Sequence, residues 1–147
     1  MTIPFSSLTG AISLSNARAP RYAVHASTTN ANLNLSFLQD RDSSRLASLP
    51  ILDIFGSTSN GPAELLLQLP FEGSFDVSTS PSHRADFFPG SGNGKDPLGL
   101  GREQNIELTT DEKSRKEGRV YWGDLNDGRK LGRVELSTSN GPASLQI

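Results

Sequence analysis

Few groups in this chain can do chemistry. It has two histidines, one tryptophan and no cysteine. A thiol nucleophile, cysteine-ligated metal and a disulfide framework are excluded. His83 lies in Pro81-Ser82-His83-Arg84 and could join Asp86 and a serine in a Ser–His–Asp site. Such a site is defined by geometry, and no Gly-x-Ser-x-Gly elbow occurs. The sequence reads better as a solvated turn histidine. His25, among Ala23, Val24 and Ala26, falls on the polar face of an alternating strand.

Two carboxylates a few ångströms apart could perform acid–base work. The candidates are Asp53, Glu64, Asp76, Glu107 and Glu135. Each sits at the polar phase of an apolar–polar–apolar stretch, which predicts a solvent-facing acid. Asp124-Leu125-Asn126-Asp127-Gly128 is one residue short of a calcium loop and lacks its closing acid. Its Asp-Gly pair reads instead as a hairpin turn joining Tyr121-Trp122 to Leu131–Val134. Gly90 to Lys95 approaches a phosphate loop, but Asp96-Pro97 follows where Ser or Thr and a helix are required. The residues best suited to binding are Tyr121, Trp122, Asp124, Asn126 and Arg129. An exposed aromatic beside these polar groups would form a sugar platform. Alternation puts one of the two aromatics in the core, and pairs Trp122 with Val120 there. No catalytic residue, metal ligand or cofactor is assigned.

The elements that position these groups repeat. Ser57-Thr58-Ser59-Asn60-Gly61-Pro62-Ala63 recurs unchanged as Ser137 to Ala143. Leu52-Asp53-Ile54 precedes one copy and Val134-Glu135-Leu136 the other. Looser copies are Tyr22–Asn30, Phe75–Pro81 and Ile106–Asp111, with Ile12–Asn16 as a sixth reduced to its strand. The unit is a strand, a hydroxyl-rich turn and often a second strand. One two-stranded unit is marginal alone, so units must stack or pack face to face.

The expected fold is all-β. It is a single domain over 1–147, an irregular short β-solenoid or a sandwich, with loop insertions near 39–50 and 89–118. Residues 111–119 carry no apolar side chain and predict a solvated hairpin tip. The expected core is Leu33, Leu35, Phe37, Ile54, Leu65, Leu67, Phe75, Val77, Ile106, Leu108, Val134, Leu136 and Leu145.

Three phrases carry a resemblance: the strand–Ser-Thr-Ser-Asn-Gly–strand unit, the segment Gln68 to Thr79 that follows it, and the closing Tyr121-Trp122-Gly123-Asp124 with Val134 to Gly141. The chain is similar to an uncharacterised β-rich domain family of mushroom-forming fungi. It also resembles a β-solenoid-like adhesin repeat of bacteria. The likeness covers roughly residues 10–147 and is weakest at 39–50 and 89–118. It implies a β-rich scaffold and carries over no catalytic residues.

Composition agrees with that fold. Ser, Thr, Asn, Gly and Pro make up about two fifths of the chain, which favours short strands and many turns. A net charge of −2 offers no basic excess for nucleic acid. The apolar runs are too short to span a bilayer. The N-terminus lacks the pattern of a secretory signal, which makes a cytoplasmic protein the default and leaves a secreted one with a removed leader open. The functional expectation is a non-catalytic interaction or scaffold domain that binds a protein partner or itself through strand edges. The alternative is a carbohydrate-binding, lectin-type module. A hydrolase using strand-borne acids ranks third.

Overall fold

Alternating residues become strands that bury one face. Val134, Leu136 and Thr138 point inward from Gly132–Asn140 while Arg133, Ser137 and Ser139 point out. The computed structural model describes residues 8–12, 21–39, 48–68, 70–90, 96–125 and 130–147. They form β1 (Leu8–Ile12), β2 (Arg21–Thr28), β3 (Leu33–Gln39), β4 (Ile51–Asn60), β5 (Ala63–Gln68) and β6 (Gly73–Ser78). β7 (Ala85–Phe88), β8 (Gln104–Glu112), β9 (Arg115–Trp122), β10 (Gly132–Asn140) and β11 (Ala143–Gln146) complete them. Among the described residues no helix is long and apolar enough to cross a membrane.

The strands form two sheets, so the fold is all-β. One has the order β1-β3-β5-β11-β7, the other β2-β4-β10-β6-β9-β8. Pairing is parallel throughout the first and from β2 to β6 in the second, where β9 and β8 then run antiparallel. Each strand–turn–strand unit sends its first strand to the six-stranded sheet and its second to the five-stranded one. The units β2/β3, β4/β5, β10/β11 and β6/β7 stack in that order, so the C-terminal unit is inserted between the second and third. This is not the sequential stack of a plain solenoid.

The core lies between the sheets. Ile54, Val134 and Phe75 line up across β4, β10 and β6, facing Leu35, Leu65 and Leu145 of β3, β5 and β11. Each such side chain stabilises the fold by about 1.5–3 kcal/mol on burial. Phe75 stacks on Phe87 with ring centroids 4.3 Å apart.

Three expectations need correction. Ile106 and Leu108 are not core; they are 36% and 46% exposed. The five-stranded sheet ends at β7, against β6 and β9, and leaves the inward face of β8 overhanging. The insertion near 89–118 is not a loop throughout, because Gln104–Glu112 and Arg115–Trp122 form a hairpin. Its tip is the expected turn at Lys113-Ser114. Asp127-Gly128 does not join a hairpin, because β6 separates β9 from β10; the pair itself lies outside the described residues. The insertion near 39–50 falls largely at 40–47, also outside them.

Candidate functional site

The repeat sets the surface chemistry. Parallel pairing keeps the copies in register, so Ser27 lies beside Ser57, Ser57 beside Ser137 and Ser137 beside Ser78. Residues two places before those serines therefore share a row on the outer face of the six-stranded sheet: His25, Phe55, Glu135 and Asp76, continued by Glu117. Residues four places before them make a second row: Ala23, Asp53, Arg133 and Ser74, continued by Arg119 and Glu107.

The acids of this face are held by specific partners. Arg21 pairs with Asp53 at 2.6 Å and Arg133 with Glu135. Arg115 donates to both oxygens of Asp76, at 3.1 and 2.6 Å, and lies 3.4 Å from Glu117. The bonds from Arg115 to Asp76, and the charges of Asp76 and Glu117, raise the affinity of its guanidinium for its proton. Glu107 accepts from the Tyr121 hydroxyl at 2.6 Å, which pushes that phenol above its ordinary range. Glu64 is on the outer face of the other sheet, between Asn34 and Ser144. Among the described residues Asp53, Asp76, Glu107 and Glu135 thus each have an arginine or tyrosine partner.

His25 and Phe55 stack with ring centroids 4.7 Å apart and planes 16° from parallel. That separation matches the spacing of adjacent strands, about 4.8 Å, so the rings stand face to face on β2 and β4. The second face of Phe55 is turned along the sheet toward β10. An open groove of about 720 Å³ runs past the stack, lined by Arg21, Asp53, Ser74, Arg119, Gly132 and Arg133 among others. A smaller one of about 350 Å³ adjoins it beside Ser27, Ser57, Ser137 and Glu135.

Compared with protein-family models, curated proteins and solved structures, the chain matches none.

The binding residues expected from sequence are placed differently from one another. Trp122 is 5% exposed and lies on the core side with Val120, so its ring is not a surface platform. Tyr121 is half-buried on the outer face, and Asp124 is exposed close enough for its charge to act on the phenol. Asn126 and Arg129 lie outside the described residues. A buried polar cluster supports Trp122: its backbone N–H donates to Glu72 at 2.8 Å, and Arg102 lies 3.9 Å from the same oxygen. Arg102 also forks onto Asp96 with two bonds of 2.9 Å.

His83 does not join a triad with Asp86. Its Nδ1 faces the hydroxyls of Ser80 and Ser82 at 3.0 and 2.9 Å, while Asp86 accepts from Arg84 at 2.6 Å. Among the described residues no cluster of His, Asp and Glu has the form of a metal site.

The His25–Phe55 stack and the Arg133–Ser74–Arg119 row were missed by the reading of single motifs. Aligning the loose copy at Tyr22–Asn30 with the copy at Leu52–Asn60 puts His25 and Phe55 at one offset. That signal was present in the sequence.

Proposed function

We propose that this chain is a non-catalytic interaction domain that self-associates by pairing the β2 edges of two copies. The observation that carries this reading is the contrast between the two edges of the six-stranded sheet. β8 is interrupted by a bulge between Leu108 and Thr110, a feature that blunts an edge against further pairing. β2 runs eight residues with no bulge, proline or lysine, and among the described residues it pairs only with β4. Its inward residues Val24 and Ala26 pack on the core yet stay half-buried. Two β2 strands meeting antiparallel about a two-fold axis would bury them and satisfy the open backbone groups. The commitment of the strand acids to arginine and tyrosine partners supports a non-catalytic role. The likeness of the repeated unit to adhesin-like repeats points the same way.

Sedimentation velocity over a wide concentration range tests this. A concentration-dependent dimer is expected. Ala23→Lys with Ser27→Lys, both at exposed positions of β2, should return it to monomer with unchanged circular dichroism. A monomer at every concentration overturns the reading.

A further inference from the structure

The groove on the outer face of the six-stranded sheet has a use independent of pairing at β2. We infer that it binds an acidic oligosaccharide, with a sugar ring against Phe55 and a carboxylate at Arg119.

Arg119 lines one end of the groove. It is exposed on β9, and its register neighbours are Ser74 on one side and Glu107 on the other. Glu107 accepts through its Oε1 from the Tyr121 hydroxyl. Arg119 has no ion pair among the described residues, in contrast to Arg21, Arg115 and Arg133 on the same face. An unpaired guanidinium beside a serine hydroxyl suits a carboxylate, which it can grip through two parallel N–H bonds.

The His25–Phe55 ring stack lies at the opposite end of the groove. Phe55 has one face on His25, and its other face is turned toward β10, where its register neighbour Glu135 is paired with Arg133. An upright aromatic face packs against the apolar C–H face of a pyranose. Asp53, two residues before Phe55 and already held by Arg21, and Ser74, next to Arg119, line the groove between them and would meet the sugar hydroxyls. The groove floor carries small groups, Ala23 and Gly132, which leave room.

Spacing decides the ligand's length. Phe55 on β4 and Arg119 on β9 are three strand spacings apart, about 14 Å. A ligand that touches both exceeds one sugar ring. An extended acidic peptide is the less suitable occupant, because strands inside a sheet offer no unpaired backbone to add to.

The test is calorimetric titration with trigalacturonate, its fully methyl-esterified form and triglutamate. Saturable binding of trigalacturonate is expected, weakened at least tenfold by esterification, by Arg119→Gln and by Phe55→Ser. Arg119 is exposed and unpaired, so Arg119→Gln should keep the wild-type melting temperature. The inference is overturned if trigalacturonate does not bind, if its ester binds as tightly, or if Arg119→Gln leaves affinity unchanged. Equal affinity for triglutamate also overturns it, because the groove would then be a general anion site.

Discussion

Asn140 donates to the Oδ1 of Asn60 at 2.7 Å across 80 residues of chain, and Asn60 donates to Asn30 at the same distance. A second ladder runs beside it. Thr58 donates to the carbonyl of Ala31, Thr138 to that of Gly61 and Thr79 to that of Gly141, at 2.9, 2.8 and 2.6 Å. Each threonine reaches back to the equivalent turn position of its spatial neighbour. Both ladders follow the order of units in space, with the C-terminal unit third. The turn phrase is thus a connector between units as well as a bend within one.

Position in the ladder sets how much each asparagine contributes. Asn60 makes two side-chain bonds, whereas Asn30 and Asn140 each make one of them. Asn60→Ala should destabilise the protein by about 1 kcal/mol, and Asn30→Ala or Asn140→Ala by about half that, since exposed hydrogen bonds lie at the low end of their range. Urea denaturation of the three variants checks the ranking. Equal losses would mean the ladder does not act as a chain.

The turn glycines have a different reason. A methyl group at Gly141 would run into the carbonyl oxygen of Gly61, which is backbone of the neighbouring unit. Gly141→Ala should therefore cost about 3 kcal/mol, the upper part of the overpacking range. Gly99 has φ +69° and nothing near its missing Cβ, so Gly99→Ala carries only the conformational penalty, about 1 kcal/mol. Melting temperatures of the two variants separate close approach from backbone strain.

Much of this was legible from residues alone. The repeat gives the strands, the inward phase of Ile54, Val134 and Phe75, and even the register that sets His25 beside Phe55. It does not give the order of units. Identical turns at Ser57 and Ser137 match each other best, which favours their adjacency, but the fit depends on backbone contacts. Gly132 comes against the carbonyl of Leu52 and Gly73 against that of Gly132. The same gap explains Ile106 and Leu108. Their alternation is that of a core strand, but burial depends on whether the opposite sheet extends that far. Arg119 gave no local signal, since its lack of a partner follows from Tyr121 engaging Glu107 one row away.

Asp96 anchors the loop before β8. Its side chain is 1% exposed and accepts from Arg102 and from the backbone N–H groups of Leu98, Leu100 and Arg102. The bond from Arg102 holds the carboxyl well below the usual carboxylate range, outweighing the opposite effect of burial, and the N–H groups lower it further. A depressed folded-state value stabilises the protein above the unfolded value, near 3.9, and that stability is lost as pH falls below about 4. Asp96→Asn should cost about 3 kcal/mol at neutral pH by removing the charge onto which Arg102 forks, Glu72 facing it only from 3.9 Å. Its stability should also fall less steeply than wild type on acidification, as read by urea denaturation at several pH values.

Tyr121 reports on the same face as Arg119. Its phenol is raised first by the bond to Glu107, then by partial burial and by the charges of Glu107 and Asp124. Glu107→Gln keeps an acceptor but removes the charge, so Tyr121 should ionise closer to its ordinary value of about 10. Absorbance titration in a Tyr22→Phe background isolates this one tyrosine, the chain having two. The direction has a consequence for stability. A raised tyrosine value favours the folded state below the unfolded value, and the benefit is lost as pH rises through the folded one. Wild type should therefore lose stability between these values more steeply than Glu107→Gln. If Tyr121 titrates alike in both proteins, the Tyr121–Glu107 bond is not kept in solution. Glu107 would then be available to Arg119, and the anion-binding end of the groove would be closed.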